Sequence, residues 1–234
     1  KNKKEIIVAV IDTGVDINHE DLKTNIWINA GEIPGNGIDD EHNGYVDDVH
    51  GINTLDRDSQ GRATANNMDQ EGHGTHVSGT IGAIQNNEIG IAGVASKVKI
   101  MGIRTVPNDG DELDVDVIES YIYAAKNGAK IINCSFGKAH NEGGMAVSAA
   151  IEYIGNEYGV LVIVASGNET SNIDNQPTYP ASYTNENLLV VASSSTGGGL
   201  SYFSNYYPNS FEIVYNIRSF CQETSLMYLM EQNL

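Results

Sequence analysis

Short apolar runs and longer amphipathic stretches take turns along this chain, and that alternation limits its fold more than any other feature. Glu5–Ile11 is β-branched and apolar on both faces, as a central parallel strand should be. Lys97–Arg104 alternates in strand fashion, and Ala129–Cys134, Val160–Ala165 and Leu188–Ala192 add three further runs. Helical patterns lie between them. Val77, Ile81 and Ile84 share one face of a segment that begins at His73 and is otherwise built from Gly, Ser, Thr and Ala. Val117, Ile118, Tyr121, Ile122 and Ala125 form a second stripe, with Leu113-Asp114 as its N-cap and Gly128 as its stop. Met145–Tyr158 is a third helix, closed by Gly159. The order predicts an α/β fold with a mostly parallel central sheet and helices on both faces.

The 234 residues suffice for one sizeable core. A net charge of −18 argues against a nucleic-acid partner and suits a protein that holds cations at clustered carboxylates. No apolar run is long enough to span a membrane. Asp12 interrupts the run that follows Lys1-Asn2-Lys3-Lys4 too early for a signal peptide, and no initiator Met is present. A fragment separated from its targeting segment is therefore expected. Two cysteines make no disulfide framework, and Cys134 reads as a small core residue.

Polar motifs sit where the apolar runs end. Asp12-Thr13-Gly14, Ser135-Phe136-Gly137 and Ser166-Gly167-Asn168 each follow a strand, and His73 opens a helix after a loop that crosses the same edge. Sites in open parallel sheets form beyond the carboxyl ends of the strands. Taken singly, Asp12 caps a turn and His73 belongs to a core helix; four such features on one edge favour a site. Asp-Thr-Gly also marks aspartic proteases, but the second copy they need is missing. An acid, an imidazole and an amide point to nucleophilic acyl chemistry, with carboxylate orienting imidazole and amide stabilising an oxyanion.

A second cluster places five acids within the ten residues Asp39–Asp48, around Gly44. Asp39, Glu41, Asn43 and Gly44 match the first half of a calcium loop. The twelfth position is His50, so this is no EF-hand, and Asp47 or Asp48 must close the shell. The plain alternative is a solvated acidic turn.

Asp12-Thr13-Gly14-Val15-Asp16, His73-Gly74-Thr75-His76-Val77, Asn133-Cys134-Ser135-Phe136-Gly137 and Ala165-Ser166-Gly167-Asn168, in this order, resemble the motifs of the subtilisin-like serine proteases. Tyr179-Pro180-Ala181 and Ser201-Tyr202-Phe203-Ser204-Asn205 match later landmarks of that family. The resemblance covers about residues 5–206 and implies a three-layer subtilisin-like domain over 1–206. It implies Asp12 as the residue that orients His73, His73 as general base, and Asn168 as oxyanion donor. A polypeptide in extended conformation would bind along Ser135, Phe136, Gly137, Ala165, Ser166 and Gly167. Calcium (Ca2+) would be held by Asp21, the Asn87 side chain and the carbonyls of Ile84, Ile89 and Ile91. The loop carrying Asp39, Glu41, Asn43, Tyr45 and Asp48 resembles an additional calcium loop. An N-terminal propeptide and an extracellular or cell-surface location are further implications, and His76 reads as structural.

The pattern breaks after Asn205. The family's Gly-Thr-Ser-x-Ala is missing; the nearest echo, Glu223-Thr224-Ser225-Leu226-Met227, has Glu for Gly and Met for Ala. Residues 207–234 read as a divergent tail that leaves the C-terminal part of the fold incomplete, and Ser225 is not expected to act as nucleophile. The expected product is a calcium-dependent serine endopeptidase by descent that is inactive as given. The alternative is a non-catalytic peptide-binding or regulatory module. A cysteine enzyme through Cys134 or Cys221 is not expected.

Overall fold

The computed structural model describes residues 5–207 and the strand Ile213–Tyr215. In chain order the elements are β1 (Ile6–Asp12), β2 (Asn53–Arg57), β3 (Ala63–Thr64), α1 (His73–Gly82), β4 (Val98–Arg104), α2 (Asp114–Lys126), β5 (Ile131–Cys134), α3 (Ala146–Tyr158), β6 (Leu161–Ala165), β7 (Leu188–Ser193) and β8 (Ile213–Tyr215). The strands form one sheet in the order β3-β2-β4-β1-β5-β6-β7-β8. Its pairs are parallel except β2–β3 at one edge.

Period-two alternation along the strands feeds two apolar layers. Val8, Val10, Ile100 and Ile163 face Val77 and Ile81 of α1. Ala9, Ile11, Met101, Ile132 and Val162 face the other way, toward Tyr121 of α2 and Ile151 of α3. Both layers are dry: Val8, Val10, Ile11 and Ile132 are fully buried. A truncation such as Ile81→Ala would cost about 2–5 kcal/mol. The sheet is thus covered by helices on both faces, an α/β architecture of three layers. The small residues of α1 have a steric reason, since a Cβ on Gly82 would lie 2.5 Å from Cγ1 of Val98 on β4.

Three local expectations change. Ile84 falls beyond the end of α1 and is only half-buried, because the helix stops at Gly82 and Ile84 N–H donates to the Asp21 carbonyl. Leu113 occupies the N-cap position of α2 and supplies no side-chain cap; Asp114 is already helical, and its carboxylate accepts the Gly143 N–H instead. The edge strands β2 and β3 had no clear signature, since short, partly exposed strands lack a sustained apolar run. The tail positions Cys221 and Ser225 lie outside the described residues.

Candidate active site

Asp12 is the last residue of β1 and His73 the first of α1. The chain enters α1 through Gly72, whose φ of 110° is a left-handed conformation that glycine adopts without strain. His73 Nδ1 lies 2.7 Å from Oδ1 of Asp12. Paired with an ionised carboxylate, Nδ1 carries the proton and Nε2 is the basic nitrogen. The same Asp12 oxygen accepts the Thr13 N–H at 2.8 Å. Asp12 is 1% exposed, and its Oδ2 is buried without a hydrogen-bond partner. The pair is therefore a buried carboxylate holding a partly exposed imidazole, the geometry of a general base with its orienting group.

Asp69 builds the joint between these two residues, and the motif reading missed it. Its Oδ1 accepts the Thr13 hydroxyl at 2.9 Å and the N–H groups of Glu71 and Gly72. Its Oδ2 accepts the Thr75 N–H and hydroxyl. The Thr13 hydroxyl oxygen in turn accepts the Gly74 N–H at 3.0 Å. Burial pushes the Asp69 carboxyl up, but the bonds from Thr75, Gly72 and Glu71 outweigh it and hold the group below the usual carboxylate range. The only sequence signal was an acid four residues before His73 in a short polar loop.

Strand register supplies the rest of the edge. Ile11 pairs with Cys134, and Cys134 with Val164, so the residues that follow, Asp12, Ser135 and Ala165, end in one row. Asn133 donates its side-chain amide to the Ser135 hydroxyl at 3.0 Å. Beyond Gly137 the chain is pinned by reciprocal backbone bonds between Lys138 and Tyr179, and Ser135, Phe136 and Gly137 between this pin and β5 belong to no strand or helix. Ser166 is buried, Gly167 turns the chain at φ 107°, and Asn168 is exposed, its N–H on Oε2 of Glu169. Asn205 braces this turn: its Oδ1 accepts the N–H groups of Glu169 and Ser171, and its Nδ2 donates to the Ser166 carbonyl. His76 is exposed and lines, with His19, Asp21, Asp69 and Thr75, a cavity of about 620 Å³ that Asp12 and His73 do not line.

Both candidate cation loops gather carboxylate and amide groups. Asp21 is buried; its oxygens accept Asn87 Nδ2 at 2.6 Å and Ile91 N at 3.1 Å, and its carbonyl accepts the Ile84 N–H. Ile89 stands one bond further out, donating to Asn87 Oδ1. In the acidic loop, Glu32, Asp39 and Glu41 bring one oxygen each within 4.8 Å of one another. Glu41 Oε2 is buried without a hydrogen-bond partner, so this set fits a hard cation. The membership differs from the sequence expectation. Glu32 was not anticipated, being seven residues upstream of the loop. Asp48 stands outside the group, its oxygens taken by Asn29, Asn43 and the Tyr123 hydroxyl. Asn43 bridges Glu41 and Asp48, and the Tyr45 hydroxyl points to Glu119.

A mostly parallel sheet with an Asp–His pair at the carboxyl end of β1 is an α/β fold with its candidate site beyond the strand ends. The subtilase family model matches residues 3–229, and the chain belongs to that family. It is 36% identical over 162 residues to subtilisin-like protease 1 of Plasmodium berghei (strain Anka), an alignment covering 69% of this chain and 26% of that protein. It is 35% identical over 199 residues to thermitase of Thermoactinomyces vulgaris, covering 85% of this chain and 58% of thermitase. The fold superposes on a cold adapted subtilisin-like serine proteinase with a TM-score of 0.62 at 28% identity, covering 87% of this chain and 60% of that one. The chain thus spans about a quarter of the length of the first relative and just over half of the second. Among the described residues, no helix is long and apolar enough to cross a membrane.

Proposed function

We propose that the chain is the Asp–His portion of a calcium-dependent serine endopeptidase, able to bind an extended peptide but not to hydrolyse it as given. The 2.7 Å contact between Asp12 and His73 carries this reading. In peptide-bond hydrolysis His73 Nε2 takes the proton of an attacking hydroxyl and returns it to the leaving amine, while Asp12 keeps the imidazole in the required tautomer. Asn168 donates its side-chain amide to the oxyanion. The substrate pairs as an added strand along Ser135–Gly137. No Gly-Thr-Ser-x-Ala occurs in the 234 residues, so no acyl-enzyme is expected from this chain.

Calcium would be held by Glu32, Asp39 and Glu41 in one loop and by Asp21 with its neighbours in the other. When bound, it supplies cross-linking charge that ties loop to core. Action outside the cell or at its surface, and an N-terminal propeptide as inhibitor and folding aid, complete the reading.

The test is two-armed. An extended peptide titrated into the isotope-labelled chain should move amide signals of Ser135–Gly137 and Gly167–Asn168; no movement overturns the binding site. A fluorophosphonate should leave the chain unlabelled; labelling at Ser225 would overturn the inactive reading.

A further inference from the structure

We infer that Arg104 is a positioning residue for the Asp12–His73 pair, acting through the backbone on both sides of it. This rests on the endopeptidase reading only for what the pair is used for. Arg104 ends β4 and pairs with Asp12 in the parallel ladder, so the two side chains leave the same face of adjacent strands. Arg104 is buried at 6% exposure. Its Nη1 donates to the Thr13 carbonyl at 2.6 Å and to the Met68 carbonyl at 3.3 Å, and Nη2 donates to Asn108 Oδ1 at 2.8 Å. These acceptors are all neutral. Burying a cation on neutral acceptors carries a desolvation cost, which the fold accepts at this one strand end.

The two carbonyls explain the placement. Thr13 and Met68 each adjoin a carboxylate of the site, Asp12 and Asp69. The Thr13 N–H orients Asp12 Oδ1, and the Thr13 hydroxyl links Asp69 to the Gly74 N–H on the His73 helix. The residues after Arg104 complete the clamp, since the N–H groups of Thr105 and Val106 both donate to the Asp12 carbonyl, at 2.9 and 3.1 Å. Nη1 thus ties the Thr13–Gly14 peptide, next to the one that aims Asp12, to the peptide that leads into Asp69, while Nη2 anchors the fork on Asn108. A lysine ammonium could serve the two carbonyls that Nη1 serves, but it lacks the second arm of the fork that anchors Nη2 on Asn108.

The test uses the full 234-residue chain. Proton NMR at low field records the His73 Nδ1 proton shared with Asp12, and Asp12→Asn assigns it by abolishing it. Arg104→Met should lose this signal or move it upfield at temperatures where circular dichroism reports a native fold. Arg104→Lys, which restores the charge and a donor to the carbonyls but not the Asn108 anchor, should recover it in part. Ile81→Val, destabilised through the core, should keep it, so that lost stability alone is not read as lost positioning. Where Arg104→Met does not fold, Asn108→Ala removes the exposed anchor of Nη2 and should shift or broaden the same signal. An unmoved signal in folded Arg104→Met, or in Asn108→Ala where the first variant fails to fold, overturns the inference. Failure of the endopeptidase reading would instead appear as absent peptide binding by the wild-type chain with the His73 signal intact.

Discussion

Gly74 passes so close to Gly14 that a Cβ added to it would stand 2.1 Å from the Gly14 carbonyl oxygen and 3.0 Å from Cβ of Asp12. This contact seats the first turn of α1 on the Asp12-Thr13-Gly14 turn and sets the reach from His73 to Asp12. The glycines of one helix then separate by role. Gly74→Ala should destabilise the fold by about 3 kcal/mol. Gly79→Ala, whose Cβ would meet nothing nearer than 3.9 Å, should stabilise it by about 0.5–1 kcal/mol through helix propensity. Urea denaturation of both variants checks the pair; equal effects would refute the close-approach account.

Asp12 is kept for chemistry at the expense of stability. Its Oδ2 is buried and unpartnered, and a neutral amide of the same shape relieves the desolvation of a charge. Asp12→Asn should therefore raise unfolding stability by about 1 kcal/mol at neutral pH while removing the His73 orientation. Thermal melts read the stability; a clear loss would show that the carboxylate is net stabilising.

Glu112 gives the fold a pH dependence near neutrality. Burial pushes its carboxyl up to about 7, against the opposing pull of Lys138. The Lys138 ammonium is committed elsewhere, to the Glu112 carbonyl at 2.6 Å and to Asp114 and Glu142. The folded state thus holds a proton that the unfolded chain releases near pH 4.3. Stability from this group is present at low pH and declines as pH rises from that value through about 7. Glu112→Gln should raise the melting temperature more at pH 8 than at pH 5. An equal shift at both would place the dependence on another group.

Cation removal tests the acidic loop. A cation at one hundred times its dissociation constant contributes about 2.7 kcal/mol. Chelation should lower the melting temperature by several degrees, and Glu41→Gln should remove most of the response to the Glu32–Asp39–Glu41 set. An unchanged melt under chelation, in buffer with and without added calcium, would overturn the cation reading of both loops.

Strands β1, β4, β5, β6 and β7 and the three helices were legible in sequence because each of these strands is a largely apolar run and each helix carries an apolar stripe, closed by a glycine in α2 and α3. Family membership was legible too, since Asp12, His73 and Asn168 lie in short motifs whose residue types are dictated locally by turns and close approaches. The braces of the site were not. Asp69 reaches the Thr13 hydroxyl across 56 residues, Arg104 and Asn205 reach backbone groups 34 to 91 residues away, and Glu32 joins its cluster only when the loop folds back. Polar residues that bind distant carbonyls and amides leave no periodicity, so only the packing of β1, β4 and α1 against one another could assign them.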